Sequence, residues 1–393
     1  MSTNSAIEWT GDTWNALAGC TEISPGCLHC YAAIMAHRLA AMAQADIAAG
    51  KDPGSKRKYI GTTRKLPSGK IAWTGKVNTD EEALLIPLQR KKPTVYFVNS
   101  MSDLFHADVP DEFIDKVFAV MALCPQHTFQ VLTKRAERMA EYFTKPTDVQ
   151  YADGVAANQQ RYRAIGRVLR CEFGQYEPGY SLEHHGDGWP LSNVWLGVSV
   201  ENKQHGLPRI EHLLRTPAAV RFLSVEPLLE EVRILDHLMS GCDPGKCLSC
   251  GKGHGFTRCP NYGGVSKTND DYPRCDKFSR QNYAIHWVIA GGESGPGARP
   301  CNVANIRSIV NQCERAGVPC FVKQLGGNVI CRNDEISEWV EECNHLQMKH
   351  TENYQGAVER VVGFKNKKGG DPNEWPEDLR VREMPRVKET VKA

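Results

Sequence analysis

Val194-Trp195-Leu196-Gly197-Val198-Ser199-Val200-Glu201-Asn202 is an almost unbroken apolar run that ends in an acid and an amide. A strand buried on both faces reads this way, because a parallel sheet carries helices on each side. The pattern recurs along the chain at Ala6 to Thr10, Thr94 to Asn99, Thr128 to Thr133, Val220 to Val225, His286 to Ala290 and Cys320 to Lys323. Between these runs, Asp111 to Leu123, Ala136 to Phe143, Ile210 to Arg215 and Val303 to Ala316 place apolar residues at helical spacing. Strands alternating with helices predict an α/β architecture, a partial or complete parallel (β/α) barrel.

Each apolar run is followed directly by polar residues: Asn99-Ser100-Met101-Ser102-Asp103, Thr133-Lys134-Arg135, Ser199-Val200-Glu201-Asn202, Ser224-Val225-Glu226-Pro227, Gly291-Gly292-Glu293-Ser294 and Lys323-Gln324. Active sites of parallel barrels gather at the carboxyl ends of the strands. Asp103, Lys134, Glu201, Glu226 and Lys323 are therefore the candidate catalytic groups, and Asn99, Ser100, Asp103, Ser199, Gly291, Gly292, Glu293 and Ser294 the candidate ligand-binding ones. Acid-base pairs are expected across the mouth, since an unpaired buried charge is costly. In Gly291 to Pro300, the glycines suit close approach of backbone N–H groups to a ligand, and Glu293 and Arg299 supply charge. Neither a dinucleotide fingerprint nor a phosphate-loop ending is present there.

Cys20, Cys27 and Cys30 crowd one loop, Gly19-Cys20-Thr21-Glu22-Ile23-Ser24-Pro25-Gly26-Cys27-Leu28-His29-Cys30-Tyr31. Iron-sulfur clusters normally take four thiolates, so three imply a distant fourth ligand or an exogenous one. Zinc competes for the same Cys-x-x-Cys pair. His29 would have to fold back on that pair and His37 lies two turns further on, so neither suits as the fourth ligand.

With 393 residues, 41% of them hydrophobic, the chain can bury a large core. The net charge of +2 gives no global signature for nucleic acid or membrane. Met1 to Ala6 lacks a basic segment leading into an apolar core, and no run approaches the roughly 18 apolar residues of a membrane span. A cytoplasmic location is expected. The fifteen cysteines then argue for metal rather than disulfides, although Cys124 and Cys320 read as buried apolar residues.

Two stretches interrupt the repeat. The first, about 147–190, lengthens one crossover and reads as a lid or partner surface. The second, 235–283, holds Cys242, Cys247, Cys250, Cys259 and Cys275 in a glycine-rich setting with little apolar core, which predicts a stapled insertion bound to zinc or to an auxiliary cluster. The domain plan is a barrel over 1–234, the insertion over 235–283, and the last barrel strands with a C-terminal tail over 284–393.

Trp9-Thr10-Gly11-Asp12-Thr13-Trp14-Asn15, the cysteine loop, Phe97 to His106, Val131 to Arg135, Trp195 to Asn202, Phe222 to Leu228 and Gly291 to Pro300 together resemble the phage-associated three-cysteine protein family. The similarity runs in register from about Ile7 to Gln324 and implies a phage or mobile-element origin. The family is linked in turn to the radical S-adenosylmethionine (SAM) enzymes, although the C-x6-C-x2-C spacing enlarges the first gap of the usual C-x3-C-x2-C. The resemblance implies a [4Fe-4S] cluster on Cys20, Cys27 and Cys30 with SAM on the fourth iron, and an electron donor such as a flavodoxin or ferredoxin. That superfamily binds the methionine amino group after its second strand, which carries the role to Ser100 and Asp103 and leaves the later glycine loop for another part of SAM or for substrate. DNA or RNA is the substrate class a phage setting suggests, with an extruded base entering the barrel. A zinc protein that binds nucleic acid beside an inert barrel, and a metal-dependent hydrolase using Asp103, Glu201, Glu226 and Glu293, are the competing readings.

Overall fold

The computed structural model describes residues 5, 7–144, 165–169, 172–173, 190–239, 284–295, 297–332, 347–351 and 359–385. Seven strands, β1 (Asp12–Trp14), β2 (Val95–Val98), β3 (Thr128–Thr133), β4 (Val194–Ser199), β5 (Val220–Val225), β6 (Trp287–Gly291) and β7 (Cys320–Gln324), form one sheet in chain order. Every neighbouring pair is parallel. The fold is thus a parallel half-barrel.

Its hollow side is floored by aromatics. Trp9 lies 4.9 Å from Phe97 and 6.1 Å from Trp287, so the two sides of the curled sheet meet over one residue. Phe222, Trp195 and Phe321 complete this cluster. A side chain at Gly197 has no room there: a Cβ would stand 2.4 Å from the Phe222 ring. The opposite face packs under helices α2 (Asp111–Leu123), α3 (Ala136–Thr144), α4 (Lys203–Arg215) and α5 (Val303–Ala316), which form the larger core.

Several expected boundaries shift. Of the run Ala6 to Thr10 expected as the first strand, residues 7–10 form a turn: Thr10 N–H bonds the Ile7 carbonyl at 3.3 Å, and this turn tucks Trp9 into the aromatic floor. The helix expected from Ile210 begins at Lys203, capped by the Asn202 side chain, and runs through Pro208. Gly206 permits this, because a Cβ there would meet Val200 at 2.5 Å. The first residues expected in the insertion belong to the main body: Leu235–Met239 is helical, and Gln312 of α5 accepts from the N–H groups of Ile234 and Leu235. Residues 240–283, with Cys242, Cys247, Cys250, Cys259 and Cys275, lie outside the described residues. Of the long crossover, Ile165 and Leu169 are buried in the helix-side core, and Glu172 pairs with Lys116 of α2 at 3.1 Å.

The helical turns expected after Cys30, over Tyr31 to Ala43, extend to an 18-residue helix, α1 (Tyr31–Ala48), which packs through alanines against a hairpin that was not expected, Thr63–Lys65 paired with Ile71–Trp73. Past β6, a second sheet joins Cys301–Asn302, Val329–Arg332, Glu359–Gly363 and Gln347–Thr351 where a tail was expected. Among the described residues no helix is long and apolar enough to cross a membrane.

Candidate functional site

Strand side chains alternate faces, so the residues two positions beyond the aromatic floor stand above it on the same side. Following Phe97, Trp195, Phe222 and Phe321 upward leads to Asn99, to Ser199 and Glu201, to Ser224 and Glu226, and to Lys323. The inner row of β3 runs from Gln130, whose side chain reaches the Trp9 carbonyl, to Lys134. The polar residues expected at the mouth are therefore brought to one end of the half-barrel, and the pairs are present. Lys134 bonds Glu201, and Lys323 Nζ lies 3.2 Å from Glu226.

Several of these charges hold the cysteine loop rather than facing open space. Glu201, fully buried, accepts from Ser24 Oγ at 3.0 Å and from Gly26 N–H at 3.0 Å, while Lys134 and Arg209 balance its charge. Position 26 must be glycine for this approach, since a Cβ would sit 2.3 Å from the Glu201 carboxyl carbon. Burial works to raise the Glu201 carboxyl, but Lys134, Ser24 and Arg209 outweigh it and hold it down at about 2. Arg135 bonds Asp103 at 2.9 Å and reaches Thr21 Oγ1 at 2.7 Å and Cys20 Sγ at 3.5 Å. Asp103 also accepts from Thr133 Oγ1 at 2.7 Å and from the N–H groups of Lys134 and Phe105, which makes it the anchor of Arg135. Arg299 grips Glu293 through Nε and Nη2 and donates from Nη1 to the Pro25 carbonyl at 2.9 Å. Burial would raise Glu293 too, yet Arg299 lowers it.

Two of the thiols share one apolar cluster. Cys20 and Cys30 pack against Ala18, Ala32, Trp73 and Met101, and Cys27 is buried beside Ser24. Burial pushes Cys20 up to about 12, with Asp103 adding to the rise and Arg135 opposing it. Burial raises Cys30 as well, against the pull of the Ala33 and Ala32 amides at the start of the helix over Tyr31–Ala48. Buried thiols of this kind become ligands when a cation draws off their protons. One cation already favours that change: Arg135, held by Asp103, donates to Cys20 Sγ at 3.5 Å. Among the described residues no three Cys, His, Asp or Glu side chains close on a single metal ion. A cluster spreads its thiolates over separate irons, so it does not require that convergence.

Asn99 stands apart from these satisfied groups. It is 3% exposed, its φ is +57°, and neither amide atom of its side chain has a hydrogen-bond partner. Ser100 beside it spends its hydroxyl on Asn15 at 3.2 Å, and its carbonyl accepts from Tyr31 Oη. Ser199 and Ser224 are buried at the same level of the hollow. Gly291 and Gly292 owe their identity to the protein itself: a Cβ would meet Glu226 Oε1 at 2.8 Å and the Leu325 carbonyl at 2.1 Å, respectively. Ser294 is exposed at the rim. Arg135 and Arg209 carry much of this geometry without having been singled out beforehand. Arg135 was legible as the cation next to Lys134, whereas Arg209 lies inside a helix with no local signal.

A parallel half-barrel whose strand-end charges hold a three-cysteine loop over its mouth is the class of protein these features define. The chain belongs to the family described as protein of unknown function (DUF5131), whose model matches residues 4–371. No curated protein and no solved structure matches it.

Proposed function

We propose that this protein is a radical SAM-type iron-sulfur enzyme, with Cys20, Cys27 and Cys30 holding a [4Fe-4S] cluster and SAM bound above the aromatic floor. Bound there, the cluster supplies one-electron reduction of the SAM sulfonium. The observation that carries the reading is Asn99, a buried amide left unsatisfied just past the carboxyl end of β2. An orphaned buried polar group costs about 1–3 kcal/mol, and a polar ligand that meets it recovers that cost.

This chain's residues then divide the work. Arg135, Glu201 and Arg299 fix the cysteine loop; Asn99, with the hydroxyls of Ser199 and Ser224, orients the polar parts of the ligand; the aromatic floor excludes water from below. The Glu226–Lys323 pair at the rim is the group best placed to move a proton to or from a substrate. Reductant comes from a flavodoxin- or ferredoxin-like donor, and the resemblance points to DNA or RNA as substrate. The hydrolase reading has less support, since the four carboxylates it needs are each engaged by a cation.

The test is anaerobic reconstitution followed by iron and sulfide analysis, then reduction in the presence of SAM. Iron and sulfide in equal amounts, lost in Cys27→Ala, with release of 5′-deoxyadenosine, are expected. Stoichiometric zinc with no iron uptake would overturn the proposal.

A further inference from the structure

The chain carries a net charge of +2, but between Lys51 and Lys76 it holds eight Lys and Arg residues against the single acid Asp52. This segment is the one packed against the helix over Tyr31–Ala48, and it includes the hairpin of Thr63–Lys65 and Ile71–Trp73. Part of its charge is used internally. Lys58 is buried on Asp80 at 2.9 Å, Lys56 pairs with Asp46, and Lys70 pairs with Glu22 at 3.0 Å. Arg64, Lys65 and Lys76 are exposed and have no acidic partner among the described residues; the same holds for Arg38 on the adjoining helix.

These free cations are tied rigidly to the cysteine loop. Gly19 lies on the Lys76 backbone, where a Cβ would stand 2.0 Å from the carbonyl oxygen, and a Cβ at Gly75 would stand 3.3 Å from the Thr21 methyl. Trp73 of the hairpin packs in one cluster with Cys20 and Cys30, and His37 Nδ1 meets Thr63 Oγ1 at 3.1 Å. Tyr31, Ile34 and Met35 are exposed on the helix between the loop and Arg38, at spacings of three, four and seven residues that place all four on one face. Exposed apolar side chains close to cations that have no acidic partner among the described residues match a ligand that alternates bases with phosphates.

We infer that the hairpin is a docking surface for the phosphodiester backbone of a nucleic acid, held so that the strand passes the mouth of the half-barrel at the cysteine loop. Arg64, Lys65 and Lys76 contact phosphates, with Arg38 extending the track and Tyr31 offering a face for a base. The inference rests on the reading of that mouth as the reactive centre, but the binding itself is independent of the cluster.

The experiment is fluorescence anisotropy of the full chain with labelled mixed-sequence DNA and RNA, single- and double-stranded, from about 50 to about 200 mM salt. R64A/K65A/K76A should weaken binding at least tenfold at the low-salt end and lower the slope of log K against log salt by about 2–3, as three lost phosphate contacts require. R64K/K65R/K76R, which keeps the charge, should bind as the parent does and so separates loss of charge from loss of fold. K91A/K92A, whose cations are exposed just before β2 at the other end of the sheet, should also bind normally. Unchanged binding by the alanine triple, or an equal loss in K91A/K92A, would overturn the inference. So would a parent protein that binds phosphatidylserine vesicles but no nucleic acid. Failure of the cluster reading would show separately, as absence of iron in a parent protein that still binds the oligonucleotide.

Discussion

Arg299 Nη1 donates to the carbonyl of Pro25 at 2.9 Å while its other nitrogens hold Glu293, so the loop after β6 is bolted to the loop between Cys20 and Cys27. Residues far apart in the chain thereby set the position of the sulfurs.

Arg299→Ala should loosen the cysteine loop without unfolding the half-barrel. Charge-assisted hydrogen bonds of this kind contribute about 1.5–3 kcal/mol. Faster hydrogen exchange confined to residues 22–28 is the expected signature. Arg299→Lys should restore little, because an ammonium cannot repeat the paired Nε and Nη2 bonds to Glu293 while reaching Pro25.

Glu201→Ala should be among the more damaging substitutions, at about 3–5 kcal/mol, because it strands Lys134 and Arg209 around a buried gap. The acid also predicts a pH dependence. Its folded pKa, about 2, lies below the ordinary 4.5, so its contribution is fully present above pH 4.5 and is lost as pH falls toward 2. Urea unfolding across that window should show the slope, and Glu201→Gln should flatten it.

Asn99→Gly should leave the unliganded protein as stable as the parent or more so. It removes two unsatisfied amide atoms and suits the positive φ. If Asn99 meets SAM, calorimetric binding of SAM to the reconstituted protein should fall by about tenfold or more, in line with one lost hydrogen bond to a charged group. A large loss of thermal stability in the unliganded variant would contradict this account.

Gly197→Ala should cost about 1–3 kcal/mol by forcing a methyl into the Phe222 ring. Phe222→Leu in the same chain should return part of that loss, since it removes the ring atoms in conflict. Thermal melts of the single and double variants give the comparison, and additive losses would be the wrong result.

The half-barrel was legible because strands buried on both faces leave near-continuous apolar runs, and six of the seven observed strands fall within a residue or so of those runs. The exception is instructive. Ile7 and Trp9 are as apolar as any strand residue, but a turn brings them to the aromatic floor, with Trp9 buried and Ile7 half-buried, and hydrophobicity alone does not separate the two cases. Lys134, Glu201, Glu226 and Lys323 were legible as strand-end charges because the period of two continues past each strand. Their partners were harder to foresee. Arg209 approaches Glu201 from a helix, and Arg299 reaches Pro25 only through the fold. The second sheet was less legible because its strands are two to five residues long and two of its three pairings join distant stretches of chain. The basic hairpin was hidden by averaging, as acids elsewhere cancel its charge in the total.

The segment after the second sheet turns back along β7. Phe321 and Arg382 form an antiparallel bridge, Val322 N–H bonds the Val381 carbonyl, and Arg382 also reaches Glu8 at 3.0 Å beside the other end of the sheet. One margin of the half-barrel is therefore already paired, and the other ends in a strand only three residues long. Open sheet margins recruit foreign strands and seed aggregation. With both blunted, the seven-stranded sheet presents no long free margin for strand addition, so association at the half-barrel is steered to side-chain surfaces.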